Sequence, residues 1–185
     1  MTSKRFFELS ARITELKEYF LPEADPLGEY TPKQNDEIRA FRVLCHAEVE
    51  QFLEDCAASL GECLKLEIAN ARCGSPFTRA FANKSLQRLS NKISDNHGVN
   101  EGHLLSLFGL FGIHEEHFDS IDSNFLKRMN TFGKNRGEVA HKAACRMTVA
   151  LNPKREEKLI DEILQYLQKL DDLVQQKRLH GIMGQ

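Results

Sequence analysis

The sequence predicts an all-α fold, an up-and-down bundle of four to five main helices. Apolar residues recur at spacings of three and four through most of the chain. No run alternates polar and apolar residues as a half-buried strand would. Proline and glycine fall between the periodic stretches and mark their ends. At 185 residues, the chain has the size of one domain with one sizeable core. It reads as a single domain over 1–185, with an N-terminal helix and loop over 1–34, a core bundle over 35–175 and a tail over 176–185.

The first helix is predicted from Phe6 to Phe20, with apolar residues at 6, 7, 9, 13, 16 and 20, and it stops before Pro22. Pro22, Pro26, Gly28 and Pro32 then mark a loop. Asn35 or Asp36 is placed to cap a long helix reaching about Leu66. Gly74-Ser75-Pro76 breaks the chain, and the polar stretch to Gly98 reads as loop with one short helix around Lys84–Ile93. Gly102 to Gly112 is apolar and turn-rich, a connector with a short helix. Ser123 to Leu151 has a helical pattern interrupted near Gly133–Gly137. Asn152-Pro153 supplies a cap and a first-turn proline for the last helix, apolar at 159, 160, 163, 164, 167, 170 and 174.

A net charge of −2 excludes a global attraction to nucleic acid or to anionic lipid. The local distribution is less even. Between Ala71 and Val99, five basic residues (Arg72, Arg79, Lys84, Arg88, Lys92) face one acid, Asp95. Between Leu126 and Arg146, six (Lys127, Arg128, Lys134, Arg136, Lys142, Arg146) face Glu138. Two such segments suit a phosphate-binding face. The five cysteines show neither a CxxC pair nor zinc-finger spacing. Their odd number, with no signal peptide, is the pattern of a protein in a reducing cytoplasm. The apolar runs are too short to span a membrane.

One segment carries chemistry. Asn135-Arg136-Gly137-Glu138-Val139-Ala140-His141 puts an arginine and a histidine five residues apart in a helical pattern. A guanidinium neutralises phosphate charge and an imidazole moves protons near neutral pH, which together suffice to cleave RNA without a metal. Spacing alone is weak, because chance delivers one or two such matches and the chain also holds Arg39…His46. Asn135 and Glu138 have capping-box spacing, which predicts a helix starting at Arg136, with free backbone N–H groups beside its guanidinium. Glu48 falls among Phe41, Leu44 and Phe52 on an apolar stripe, where a buried carboxylate needs a cation, and Arg136 is the expected partner. Glu50 and His46 lie toward the polar side and border the same cleft. Lys134, Lys142, His46, Arg79 and Lys84 are candidate substrate contacts. Phe77, Phe81 and Phe132 read for the most part as core, with stacking on bases as the alternative. His114 and His117 have no third ligand and read as surface, so no metal and no cofactor is expected.

Here the sequence resembles a known family. The helix Phe132…Asn135-Arg136…Val139-Ala140-His141, preceded by the Leu-Phe-Gly-Leu-Phe-Gly-Ile connector at 107–113, resembles the Arg-x(4–6)-His signature of the HEPN superfamily. The helix from Arg39 to Glu54 is similar to the second helix of the RiboL-PSP type, and the likeness covers about residues 36–175. The resemblance implies a bundle that dimerises around the motif and acts as a metal-independent ribonuclease, of a kind frequent in toxin–antitoxin and antiphage systems. The family usually has a polar residue after the arginine, where this chain has Gly137. The expected roles are His141 as general acid and base, Arg136 as phosphate stabiliser, Asn135 as amide helper and Glu48 as orienting acid. RNA, a second copy of the chain and a restraining antitoxin or other defence-system protein are the expected partners. The rival expectations are a non-catalytic HEPN module that binds nucleotide or RNA, and a purely structural helical dimer.

Overall fold

A helix begins where something satisfies its free N–H groups, and the chain supplies such a group at most of its helix starts. The computed structural model describes residues 3–70, 75–95, 98–141 and 151–183, with side chains through 137 and 178 in the last two stretches. Among these residues the chain forms α1 (Lys4–Phe20), α2 (Pro32–Asn70), α3 (Pro76–Ser94), α4 (Glu101–Phe108), α5 (Glu115–Ile121), α6 (Phe125–His141) and α7 (Pro153–Met183), and no strand. The all-α expectation therefore holds.

Ser3 caps α1, its Oγ accepting from the Phe6 N–H at 3.2 Å. The long helix starts at Pro32, not at Asn35 or Asp36. Thr31 Oγ1 accepts from the Gln34 N–H at 3.2 Å, and Gln34 Oε1 accepts from the Thr31 N–H at 3.0 Å. Thr31-Pro32-Lys33-Gln34 is thus a reciprocal capping box with proline in the first turn. Asn152 caps α7 as expected, accepting from the Arg155 N–H at 3.2 Å. That helix runs on through most of the segment expected to be a tail, to Met183.

The largest departure is α3, a 19-residue helix where a loop with one short helix was expected. Ser75 caps it, Pro76 opens it, and Ala82, Leu86, Leu89 and Ile93 form a thin apolar stripe. That stripe packs on α2, where Gly61 lets Leu89 come close: a Cβ there would lie 3.4 Å from Leu89 Cδ2. Leu89 is the one buried residue of the helix.

α2, ~58 Å long at 1.5 Å per residue, is the axis of the bundle, and α1, α3, α6 and α7 all pack on it. α1 runs antiparallel to α2, with Phe6 edge-on to Phe52 and Arg12 bonded to Glu48. α6 is antiparallel to α2 and α7, with His46 stacked on Phe132 and Phe125 edge-on to Tyr166. α2 and α7 run parallel, Arg42 pairing with Glu156 near one end and Cys63 contacting the Arg178 carbonyl near the other. Phe41, Leu53, Phe108, Phe118, Met129 and Ile160 fill the space between them. Cys45 and Cys56 lie in this core, and burial pushes the Cys56 thiol up to about 12, so both behave as small apolar groups.

A buried carboxylate fastens the other flank. Asp171 on α7, 1% exposed, accepts from Arg5 Nε at 2.8 Å and from the Ser3 N–H at 3.2 Å. Arg5 also donates to Ser59 Oγ of α2 at 2.8 Å, so three helices share the pair. Asp171→Ala leaves the largely buried guanidinium without a counter-charge, and is expected to cost about 3 kcal/mol in urea unfolding. The double variant Arg5→Met/Asp171→Leu should recover most of that loss.

Candidate active site

The apolar stripe of α6 runs Phe125, Met129, Phe132, and the next position on the same face is Arg136. A cation is thereby carried to the edge of the core, half-buried against α2. The helix is continuous from Phe125 to His141, so Arg136 is not at a helix start. Asn135 lies inside the helix and not at its N-cap, so the free N–H groups that the sequence led one to expect beside Arg136 are absent. Burying Phe125, Leu126, Met129 and Phe132 holds the upstream turns helical, and glycine costs only about 1 kcal/mol within a helix. A Cβ at Gly137 would meet no atom of the described residues within 4 Å.

Across from this segment lie two residues of α2. His46 is buried, its ring stacked on Phe132 with centroids 5.6 Å apart and planes 16° from parallel. Burial, and then the positive charge of Arg136, hold the imidazole at a pKa of about 4, well below its ordinary value. Glu50, one turn on, has its carboxylate 3.6 Å from His46 Nδ1, beyond hydrogen-bond reach, and does not offset those two effects. His46 is therefore neutral near pH 7. The sequence placed it toward the polar side. It is interior instead because α6 covers that face of α2.

Arg42, one turn before His46, is buried and forks onto Glu156 in the first turn of α7, with Nε 2.8 Å from Oε2 and Nη2 on Oε1. Its Nη1 also reaches the carbonyl of Asn135 at 3.4 Å. The pair thus joins α2, α6 and α7 directly beside Arg136. Sequence reading missed both residues. The available signal was Arg42 lying on the stripe of Ile38, Cys45 and Val49, where an unpaired charge is untenable.

Glu48 does not partner Arg136 as expected. Two helical steps turn ~200°, so Glu48 projects from α2 on the side away from His46, toward α1. There, one-third exposed, it accepts from Arg12 Nε at 3.2 Å. Asn135 is half-buried and Lys134 exposed on α6. His141 is the last residue of α6 and its side chain lies outside the described residues, as does all of Lys142. Arg79 and Lys84 are exposed on α3, which meets α2 around Gly61, ~22 Å along the axis from His46. Of the aromatic residues expected in the core, Phe132 is there, whereas Phe77 and Phe81 are 81% and 69% exposed.

His117 has a structural task, its Nδ1 accepting from the His114 N–H at 3.2 Å at the start of α5. Among the described residues no group of three or more His, Cys, Asp or Glu side chains is placed to hold a metal ion. No described helix is long and apolar enough to cross a membrane.

An all-α bundle with an Arg-x4-His helix packed on its long second helix defines a HEPN-like domain. The RiboL-PSP-HEPN family model matches residues 8–176, and the chain belongs to that family. No curated protein and no solved structure matches the chain.

Two outcomes follow from this geometry. His46 binds its proton more weakly folded than unfolded, so its contribution to stability is full above pH 6.5 and is lost as pH falls toward 4. The loss should approach about 3 kcal/mol, and His46→Phe should flatten the pH dependence of the urea midpoint across that window. Gly137→Ala meets no neighbour among the described residues and should raise stability by about 1 kcal/mol in the same measurement.

Proposed function

We propose that this protein is a metal-independent endoribonuclease that cleaves single-stranded or loop RNA as a homodimer. The observation that carries the reading is the fixed placement of Arg136. α6 runs unbroken through the motif, its stripe delivers the guanidinium to the edge of the core, and the Arg42–Glu156 fork pins the turn next to it. A cation held half-buried on a rigid helix is suited to stabilise charge developing on a phosphate.

In the reaction, the ribose 2′-oxygen attacks the adjacent phosphorus and its proton passes to a general base. The bond from phosphorus to the 5′-oxygen breaks, and that oxygen takes a proton from a general acid. The products are a 2′,3′-cyclic phosphate and a 5′-hydroxyl end, and DNA, lacking the nucleophile, is not cut. His141 is assigned the proton transfers, Arg136 the phosphate charge and Asn135 an amide donor to a phosphate oxygen. Lys134, Lys142, Arg79 and Lys84 are assigned to the RNA backbone.

The motif of one subunit supplies one imidazole for two proton transfers. His46 does not serve as the second, because a buried ring with a pKa of about 4 is a poor base and is unprotonated at pH 7. A two-fold axis that brings two copies of the motif into one cleft meets the requirement. Glu50 on the His46 face, not Glu48 on the far side, is then the carboxylate of α2 assigned to orient the cations of the cleft. A role as a growth-arresting toxin or antiphage effector, restrained in the cytoplasm by an antitoxin or other defence-system protein, fits a small nuclease of this family.

Gly137 favours a second reading. The family usually has a polar side chain there, and a glycine beside Arg136, with no described atom within 4 Å of where its Cβ would lie, suits a non-catalytic module that binds RNA or nucleotide. Incubating a labelled single-stranded RNA with the protein in EDTA distinguishes the two. Cleavage to cyclic-phosphate ends is expected, falling at least about 100-fold in Arg136→Ala and His141→Ala. Cleavage that survives both substitutions removes the site. Binding without cleavage of any RNA selects the module.

A further inference from the structure

One side of α3 is open to solvent along most of its length and borders α4 only toward its end. At ~100° per residue, Phe77, Phe81, Lys84, Arg88 and Lys92 fall within an arc of ~80° on that helix. All five are exposed, whereas Leu89, on the side toward α2, is buried. Two aromatic side chains are thus followed by three cations along ~22 Å of one helix face. α3 contains no acidic residue.

The stripe ends in a cavity. Arg88, Asn91 and Lys92 of α3 face His103 and Ser106 of α4 across a space of about 540 Å³. Among the described residues Asp95, just past the end of α3, is the one carboxylate on its wall.

Each part has a physical demand. An exposed phenyl ring loses free energy in water and gains it by stacking on another flat apolar surface. A row of cations without acids seeks a line of negative charge. A base attached to a phosphate meets both demands in one unit, and a single strand repeats that unit along its length. A helix docking through apolar contacts alone would leave Lys84, Arg88 and Lys92 without a role.

We propose that this face of α3 is a platform for single-stranded RNA. Phe77 and Phe81 stack on unpaired bases, Lys84, Arg88 and Lys92 follow the phosphates, and the cavity between α3 and α4 holds one further nucleotide. This rests on the ribonuclease reading for the identity of the strand, and it extends the substrate path ~22 Å along α2 from the Arg136 site. The platform holds RNA that the distant motif cuts, so affinity and cleavage are separable.

The test measures fluorescence anisotropy of a labelled 2′-O-methyl single-stranded oligonucleotide, which cannot be cleaved, on the full chain. Phe77→Leu/Phe81→Leu keeps apolar bulk but removes the flat rings, and is expected to weaken binding about 10-fold or more. Phe77→Tyr/Phe81→Tyr should restore it. Lys84→Gln/Arg88→Gln/Lys92→Gln is expected to weaken binding and lower the log–log salt slope by about 2. All these residues are exposed, and circular dichroism and thermal unfolding show whether each variant remains folded.

Unchanged affinity in both the leucine and the glutamine variants overturns the platform. So does a shift from dimer to monomer in the leucine variant, which would make the face an interface between copies. Wild-type binding that depends on α3, with no cleavage of natural RNA, keeps the platform and removes the nuclease. Cleavage with no dependence on α3 does the reverse, and absence of RNA binding by the wild type removes both.

Discussion

Burying a guanidinium among apolar side chains is tolerable only if a carboxylate meets it with good geometry, and Arg42 imposes that condition on the bundle. The residue sits on the core stripe of α2, where the fork onto Glu156 satisfies two of its nitrogens. Glu156 lies in the first turn of α7, where a negative charge is also favoured by the helix dipole. The remaining nitrogen reaches the Asn135 carbonyl on α6. One ion pair therefore fixes the relative height of three helices at the point where Arg136 emerges. The Arg5–Asp171 pair repeats the device for α1, α2 and α7 further along. Between these fastenings, apolar packing fills the volume without having to specify register.

The same arrangement explains what the histidine of α2 does. His46 is sealed under Phe132 and beside a cation, so its proton is released well below neutral pH and the ring acts as a flat, neutral packing element. It supports the turn of α6 that bears Arg136. In the proposed reaction, proton transfer is left to the imidazole at the end of α6, and one such group per motif is the physical reason the proposal invokes a second copy. α3 stands apart from this centre, held by a thin stripe with a single buried leucine. Phe77 and Phe81 lie exposed on its outer side.

Periodicity, caps and motif determine much of this protein without reference to the fold. The stripes of α1 and α7 are legible because each long apolar face has one phase, and Asn152-Pro153 marks its helix start by chemistry confined to a few residues. The Arg-x4-His spacing and the likeness of the second helix sufficed to place the chain in its family. Local chemistry was also present but misread at two places. Thr31-Pro32-Lys33-Gln34 is a complete capping box obscured by reading the proline as a loop marker. Ser75-Pro76, with the sparse stripe at 82, 86, 89 and 93, signals a full helix that polar composition concealed.

Other features were decided by the tertiary structure, because they depend on which face of one helix meets which face of another. Asn135 to Glu138 is a valid cap in isolation, yet the upstream turns of α6 bury enough apolar surface to carry the helix through Gly137. Glu48 and His46 both lie near the apolar stripe of α2, and only the positions of α1 and α6 send one to Arg12 and seal the other under Phe132. Composition cannot distinguish an aromatic residue in the core from one in solvent, and the packing of α3 leaves Phe77 and Phe81 outside. The sequence by itself determined the helices, the motif and the family, since each rests on residues a few positions apart. Partners, burial and the proton affinity of His46 were decided by tertiary structure, because charge and water exclusion act between residues the chain holds far apart.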